Sequence, residues 1–268
     1  MPTLNNIKHY TPIQPTVKVK DANVDYKELF PLEKLREFIY CYWQLKTTQA
    51  LTEAYNYNVV ADGCTAVFFE MENPENSFVM GFCKSNTEFP LENSFNYIGI
   101  RFLPTAFTRL FNVKALEMSN RFETLEDVVP ILAKFITHSI HDRQTDDEVK
   151  DTLDSFFINH LANVPADIDS RFFNAFSLII KHNGLINIET GLDTGISSRQ
   201  LRRMFEFYTG TNAKTFSKVV RFQNLLKLSQ NSDTDNKLFY DAGYYDQAHY
   251  IKEFNTLYGT TPGKALGK

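Results

Sequence analysis

Residues 243–262 read GYYDQAHYIKEFNTLYGTTP, a run that places a turn glycine, a polar cap and an amphipathic helix in direct succession. Gly243 favours a tight turn, because glycine adopts positive φ without steric cost. Asp246 is a typical N-cap residue, and the apolar residues after it recur at helical spacing. The run predicts the turn and second helix of a helix-turn-helix unit. The predicted core face of that helix consists of Ala248, Ile251, Phe254 and Tyr258.

Polar side chains on the same helix support two interpretations. A catalytic pocket could use His249 and Glu253, whereas a DNA-reading helix could use Gln247, His249 and Lys252. Glutamine and histidine bind base edges, and lysine reaches a base or a phosphate. The outer side of a short helix implies no pocket, so the sequence favours DNA reading. Glu253 is predicted to pair with a neighbouring cation, and an ordinary surface histidine is the alternative for His249.

An earlier copy of the pattern, GISSRQLRRMFEFYTG, occupies residues 195–210, and its two glycines stand 48 and 49 residues before their counterparts. Ser197 and Gln200 are spaced as a capping box. A helix over residues 213–228 would join the two units. The predicted inner face of the first helix consists of Leu201, Met204, Phe205 and Tyr208.

The outer arc of this first helix carries Arg199, Arg202 and Arg203, with Ser198 in the first turn. Arginine binds the O6/N7 edge of guanine bidentately or clamps a phosphate. A solvated charged face is the alternative, but the turn, the cap and the second copy favour DNA contact. Residues 170–268 contain 13 Lys and Arg against 8 Asp and Glu, whereas the rest contains 15 against 24. A basic segment on an acidic chain indicates a polyanion-binding surface, with chance surface charge as the alternative.

The composition of the 268-residue chain excludes several other classes of protein. It contains no apolar run that could span a membrane, and its N-terminus lacks the pattern of a secretory signal. Its three cysteines lie far apart without CxxC spacing, which is typical of reduced thiols rather than of a zinc site. We therefore expect a cytoplasmic protein with no membrane contact, no metal and no cofactor.

The front of the chain, residues 1–125, reads as mostly β. Alternating or short apolar runs predict strands within 59–70, 77–82 and 96–102, with Asp-Gly as a turn signal inside the first. The stretch PLEKLREFIYCYW, residues 31–43, is predicted to be a helix that interrupts them. Short strands with scattered glycines favour a small barrel or sandwich.

From about Thr124 the pattern becomes helical. Thr124 and Asp127 are spaced as an acidic capping box, and Pro130 comes early enough in the helix to be tolerated. Another helix is predicted over residues 149–162, and the polar stretch 163–170 is the best candidate for a linker.

Three segments follow from these patterns, and together they give an α+β fold class. Residues 1–125 form a β-rich sensor or dimerisation domain, a barrel or sandwich. Residues 126–165 form a helical linker. Residues 166–268 form an all-α domain with two helix-turn-helix units.

The two motifs at 195–210 and 242–262 resemble the tandem helix-turn-helix units of AraC/XylS-type transcription regulators, over about residues 168–266. The resemblance implies that recognition helices at about 197–208 and 246–257 enter successive major grooves, about 34 Å apart. It also places Arg221 where the family has an arginine in the linking helix. The implied DNA-binding residues are Ser198, Arg199, Arg202, Arg203, Arg221, Gln247, His249 and Lys252.

The chain departs from the family pattern at three positions. Gly191 and Phe239 replace the residues usual in the leading helices of the two units, and polar Thr194 stands where an apolar residue is preferred. Glycine costs a helix interior about 0.5–1 kcal/mol relative to alanine. The first unit is therefore predicted to be the less stable of the two.

The front half also resembles an acidic β-rich domain that precedes this DNA-binding module in uncharacterised regulators. The matching pieces are YCYW, VVADGCTAVFF, Gly81 and GIRFLPTAF, whereas Ala61 and Thr105 depart from the pattern. The resemblance implies a cupin-like domain that senses a ligand or dimerises.

Four residues are candidates for lining a small-molecule pocket in that domain: Trp43, Asp62, Glu70 and Arg101. Asp62 could equally be a turn residue, Arg101 the partner of a nearby acid, and Trp43 part of the core. A metal-dependent cupin is disfavoured, because residues 11–137 contain no histidine.

Three hypotheses remain open on the sequence alone. The first is a regulator that binds double-stranded DNA and senses a small-molecule effector. The second is a regulator whose front domain only forms a homodimer or binds a protein, with RNA polymerase as a further partner if it activates. The third, an enzyme with a DNA-targeting tail, is disfavoured because no catalytic motif is found.

Overall fold

The computed structural model describes residues 10–15, 23–162, 164, 169–192, 194–230, 239–240 and 242–266. Strands fill the first part of the chain and helices the second, so the predicted α+β class is confirmed. The strands are β1 Val24–Leu29, β2 Ile39–Thr47, β3 Tyr55–Val59, β4 Thr65–Glu70, β5 Ser77–Met80, β6 Thr87–Leu91, β7 Asn96–Phe102 and β8 Phe122–Thr124.

Six of these strands form one antiparallel sheet in the order β1-β2-β7-β4-β5-β8, and β3 pairs with β6 in a separate two-stranded sheet. Side chains alternate across the large sheet, as the period of a strand requires. On β2, Tyr42 faces the helices and joins the main hydrophobic core. Its neighbours Cys41 and Trp43 face the small sheet and belong to a second hydrophobic cluster. The large sheet thus separates the main hydrophobic core, on its helical side, from the second hydrophobic cluster beneath β3 and β6.

The predicted helix over residues 31–43 is wrong. Only a 3-10 turn, Glu33–Leu35, forms there, and the chain then enters β2. β2 is central to the sheet, with β1 on one side and β7 on the other. Pairing on both edges and the β-branched and aromatic residues of IYCYW outweigh the helical periodicity.

Three helices follow the sheet in sequence: α2 Leu125–Val128, α3 Pro130–Ser139 and α4 Asp146–Leu161, after the short α1 Ala106–Phe111. Thr124 does occupy the N-cap of α2, but its side chain makes no capping hydrogen bond. Pro130 starts a new helix instead of continuing the first. The capping box forms at Thr145 and Glu148.

The helices predicted as a linker pack on the sheet. On α4, the Asp154 carboxylate accepts a hydrogen bond from the Tyr42 hydroxyl at 2.8 Å. Asp146, at the start of α4, pairs with Lys27 of β1 at 2.6 Å. Most of the predicted linker 163–170 lies outside the described residues, although Asp169 caps the next helix through the Arg171 amide.

The last hundred residues contain α5 Ser170–Lys181, α6 Ser198–Thr209, α7 Ala213–Ser229, α8 Gln247–Tyr258 and α9 Pro262–Ala265. Buried phenylalanines of α5, α6 and α7 share one hydrophobic core with the helix-facing side of the sheet. No helix within the described ranges is long and apolar enough to cross a membrane.

Candidate nucleic-acid interface and the cavity behind it

Helix α6 begins where the sequence predicts and presents the predicted faces. Gly195 before it has φ +70°, and the Ser197 hydroxyl caps the helix by accepting a hydrogen bond from the Gln200 amide. Leu201 and Phe205 are buried, while Met204 and Tyr208 pack against the core from its margin. The helix is therefore held by one apolar side.

The opposite side of α6 carries the three arginines, all exposed, and exposed Ser198 in the first turn. Arg202 Nε lies 2.8 Å from Glu206 Oε1 one turn later, so its charge is partly engaged within the helix. Arg199 and Arg203 line an open groove whose other side is formed by Lys114 and Leu116 of the N-terminal part. The sign of the charge along this groove suits a polyanion.

Helix α8 also begins as predicted, but it is rotated relative to the predicted core face. Gly243 has φ +74°, and the Asp246 carboxylate caps the helix by accepting from the Ala248 amide. Ala248 and Ile251, predicted to be buried, are exposed. The buried residues are Tyr250, Glu253, Phe254, Leu257 and Tyr258.

Aromatic packing explains the rotation. Tyr250 stacks on Phe239 at 5.7 Å between ring centroids and lies 5.3 Å from Tyr244. Burying this ring turns Ala248 and Ile251 toward solvent. The predicted core face was wrong because hydrophobic periodicity favours Ala248 and Ile251 as buried positions over Tyr250.

Glu253 lies inside the second unit, whereas its position along the helix had suggested the outer side. The carboxylate accepts hydrogen bonds from the Arg221 guanidinium at 2.5 Å and from the Tyr244 hydroxyl at 2.6 Å. Arg221 also lies 4.1 Å from the Tyr244 ring centre. Burial would raise the pKa of Glu253, but the hydrogen bonds from Tyr244 and Arg221 lower it below its usual value. The predicted cation partner of Glu253 is thus confirmed, and Arg221 is turned inward.

The outward arc of α8 contains the three polar residues predicted to face DNA. Gln247, His249 and Lys252 are exposed, and His249 Nε2 lies 3.9 Å from Glu253 Oε2. The predicted contacts do not include Tyr245, which is 97% exposed in the turn just before the helix. Its position next to the N-cap Asp246 is the sequence signal for this exposure.

The leading segment of the first unit is shorter than a normal helix. The Gly191 amide donates to the Asn187 carbonyl at 2.7 Å, which closes a single helical turn. The Thr194 hydroxyl is buried without a hydrogen-bond partner among the described residues. In the second unit, residues 231–238 lie outside the described part of the chain, and Phe239 marks where the description resumes.

A cavity of about 190 Å³ lies between the two sheets. Its wall is mostly apolar and aromatic, with a few polar groups at one end. Three of the four predicted pocket residues, Trp43, Asp62 and Arg101, line it. Glu70 does not line it, and its carboxylate accepts hydrogen bonds from Tyr97 and Asn76 at the end of β4. Aromatic residues of the wall are Trp43, Tyr57, Phe68, Phe78, Phe89, Tyr97 and Phe122.

Two buried donors at this cavity make no hydrogen bond within the described structure: Trp43 Nε1 and Arg101 Nη1. Arg101 is 3% exposed and lies 3.6 Å from both Asp62 and Glu28. Burial would lower the pKa of Arg101, but its neighbours, Asp62 among them, raise it, so the guanidinium stays charged. Gly99 makes room for the indole, since a Cβ there would lie 1.9 Å from the Trp43 ring. The described residues hold no cluster of ligands for a metal ion.

Residues of the N-terminal part that lie behind the cavity lining hold the C-terminal end of α8. Three carbonyl oxygens in the last turn accept hydrogen bonds from the N-terminal part: Thr256 from the Asn86 amide, Leu257 from the Ala61 amide and Tyr258 from the Asn58 side chain. The distances are 3.0, 3.0 and 3.3 Å. These are carbonyls that a helix cannot satisfy by itself.

The segment between β3 and β4 joins the cavity to the helices. Asp62 faces Arg101 in the cavity wall and accepts a hydrogen bond from Gln14 at 2.9 Å. The next residue back, Ala61, accepts from the Gln223 side chain of α7 at 2.8 Å and donates to α8. A shift of this segment would therefore move contacts of both helices.

Two family models match the chain. One, a domain of unknown function designated DUF6597, covers residues 27–123, and the other, a helix-turn-helix domain, covers residues 193–267. The second match falls on α6, α7 and α8, the helices with the capped turns and exposed basic arc. The C-terminal part of the chain is therefore a helix-turn-helix domain of the AraC type. The burial of Glu253 against Arg221 and Tyr244 disfavours the catalytic interpretation of His249 and Glu253.

Among solved structures, the chain is similar to ToxT from Vibrio cholerae. ToxT of strain O395 bound to (E)-4-(8-methylnaphthalen-1-yl)but-3-enoic acid aligns over 91% of this chain and 98% of ToxT, with 10% identity and a TM-score of 0.44. The unsaturated fatty acid complex of strain SCE256 aligns over 91% and 94%, with 12% identity and a TM-score of 0.39. No curated protein matches the sequence significantly.

Proposed function

We propose that the protein is a transcription regulator of the AraC type. It would recognise its operator by placing α6 and α8 in successive major grooves, and a small molecule in the cavity of the N-terminal domain would modulate this binding. One observation carries the first part. Two N-capped helices each follow a positive-φ glycine and turn an exposed polar arc away from the core. This is the geometry of a recognition helix in a helix-turn-helix unit.

The proposed contacts differ between the two helices. On α6, Arg199 and Arg203 would bind guanine edges or phosphates, with Ser198 and Arg202 at the margin of the arc. On α8, the second set is Gln247, His249 and Lys252. Arg221 is not part of this proposal, because Glu253 holds its guanidinium inside the protein.

The cavity suits a neutral molecule better than an anion. Asp62, in the cavity wall, and Glu28, outside it, flank Arg101, so the charge of the guanidinium is already balanced. The N–H groups of Trp43 and Arg101 that make no hydrogen bond can each donate to an acceptor on a ligand. The remaining wall is lined by apolar and aromatic side chains. The proposed ligand is therefore a small apolar or aromatic molecule with one carbonyl, ether or hydroxyl oxygen.

Modulation would act through the segment that contains Ala61. A ligand acceptor bound to Arg101 competes with Asp62, and Asp62 is adjacent to the residue that bonds α7 and α8. A ligand shifts such an equilibrium only by its differential affinity for two arrangements. We expect DNA affinity to change when the cavity is filled.

DNA recognition is tested with duplexes selected by the full-length regulator from a randomised library. Arg199→Ala and Lys252→Ala should each weaken binding to the selected duplex by about 1–3 kcal/mol. Wild-type affinity should also fall steeply with added salt, because phosphate contacts release counterions. Affinity by titration and protection by footprinting are the two measurements.

The matched control is Arg121→Ala, which removes an exposed arginine of the N-terminal domain. This variant should bind as the wild type does. Footprints and affinities that stay unchanged in both Arg199→Ala and Lys252→Ala would refute the assignment of α6 and α8.

Ligand binding can be read at Trp43, because the chain contains a single tryptophan and it lies in the cavity wall. Ligands of the proposed class should change its fluorescence and raise the thermal midpoint of the full-length regulator. In Trp43→Phe the gain in midpoint should shrink, since the ring remains but the N–H donor is lost. If no compound of this class shifts the midpoint, a domain that only dimerises or binds a protein becomes the better explanation.

A further inference from the structure

The rotation of α8 leaves two apolar side chains on the arc that is proposed to enter DNA. Ala248 is exposed and Ile251 is 39% exposed, while the opposite side of the helix is buried. At about 100° per residue, Ile251 lies beside Ala248 and one turn after Gln247. An apolar patch therefore sits among the polar residues that would read bases.

The chemistry of the arc narrows what this patch can contact. All twelve residues of α8 are described, and the one acid among them, Glu253, is buried. The exposed arc within the helix thus carries Lys252 as its cation, and the exposed acid Asp246 caps the helix just before Gln247. On the edges of the bases in the major groove, the C5-methyl group of thymine is the apolar feature.

We propose that Ile251, supported by Ala248, contacts a thymine methyl group and makes the second half-site dependent on thymine. This inference rests on the proposed insertion of α8 into a major groove. Gln247, one turn before Ile251, is placed to bind the N6/N7 edge of an adenine in the same or the adjacent base pair. The second half-site is therefore an A·T-containing element with a defined thymine.

The first half-site differs in kind. The α6 arc presents Arg199 and Arg203, whose bidentate partner is guanine. Among the apolar residues of α6, Leu201 and Phe205 are buried, and Met204, Phe207 and Tyr208 are half-buried at the margin of the helix. The operator read by the regulator is thus asymmetric, with guanine contacts under α6 and thymine contacts under α8.

The test replaces thymine by deoxyuridine, one position at a time, in a duplex selected by the full-length regulator. This change removes one methyl group and leaves base pairing intact. At one or two positions protected by α8, wild-type affinity should fall about fourfold, which corresponds to about 0.8 kcal/mol, the value of one buried methylene-sized group. Substitutions under α6 should have no such effect.

Protein variants identify the residue that reads the methyl group. Ile251→Ala should bind the thymine and deoxyuridine duplexes equally. The matched control Ile131→Ala removes an isoleucine that is 58% exposed on α3, and it should keep the fourfold preference for thymine. Because Ile251 is on the surface, the variant is expected to fold, and its thermal midpoint verifies this.

Two results would overturn the inference while leaving the proposed function intact. Indifference of the wild type to every deoxyuridine substitution, with the α8 footprint present, would show that no methyl group is read. Full methyl preference in Ile251→Ala would assign the contact to another residue. Failure to select any duplex would refute the proposed function, and this inference with it.

Discussion

In the first helix-turn-helix unit the arginines stand on the surface of α6, whereas in the second unit an arginine and a glutamate are folded between α7 and α8. Arg199 and Arg203 are exposed. Arg221 and Glu253 form an ion pair in which the side chains are 18% and 8% exposed. Charged residues are thus exposed on the surface of one unit and paired inside the other.

The two units also differ in how the N-terminal domain holds them. The end of α6 contacts the 3-10 helix Ala115–Met118, where the Ser119 hydroxyl donates to the Gly210 carbonyl at 2.5 Å. The end of α8 is held by three hydrogen bonds from Asn58, Ala61 and Asn86. Asn58 and Ala61 adjoin residues that line the cavity, so the second unit is fastened next to the cavity wall.

The largest effect is expected from breaking the interior ion pair. Glu253→Ala leaves the Arg221 guanidinium partly buried without its carboxylate, and removing one member of a buried pair costs about 3–5 kcal/mol. The free energy of unfolding, measured by urea denaturation, should fall by that amount. A loss below about 1 kcal/mol would show that the pair contributes no more than a surface contact.

The same pair predicts a dependence of stability on pH. Since folding lowers the pKa of Glu253, its stabilisation is fully present above the usual glutamate pKa of about 4.3 and is lost as the pH falls through the lower folded value. The free energy of unfolding of the wild type should decrease over that acidic range. Glu253→Gln should show a shallower decrease, because its side chain does not titrate.

The smallest effect is expected from the corresponding surface pair on α6. Arg202 is 69% exposed, so its contact with Glu206 is screened by solvent. Glu206→Ala should lower the free energy of unfolding by only about 0.3–0.5 kcal/mol. Equal losses for Glu206→Ala and Glu253→Ala would remove the distinction between the two units.

Local sequence signals correctly predicted those features of the two helix-turn-helix units that depend only on neighbouring residues. The caps at Ser197 and Asp246 and the positive φ of Gly195 and Gly243 are confirmed, because each is decided within one turn of chain. The departure noted at Gly191 also corresponds to a real irregularity, a single turn in place of a helix. The domain boundaries and the DNA contacts remain predictions.

Prediction failed where packing from elsewhere decides the outcome. The periodicity of residues 31–43 indicated a helix, but pairing with β1 and β7 made Ile39–Thr47 a strand. Ile251 matched a core position, but burial of Tyr250 against Phe239 and Tyr244 rotated it outward. Glu70 was predicted to line a pocket, but it lies outside the cavity, and Tyr97 and Asn76 bind its carboxylate.

The sequence by itself determined the fold class, the two capped helices and the arginine arc of α6, because turn chemistry and helical periodicity act over a few residues. Only the tertiary structure determined the position of the cavity, the inward orientation of Arg221 and the hydrogen bonds from the N-terminal domain to α8. The contact between Asn58 and Tyr258 joins positions 200 residues apart. Such contacts arise when separate elements pack together, so no local pattern encodes them.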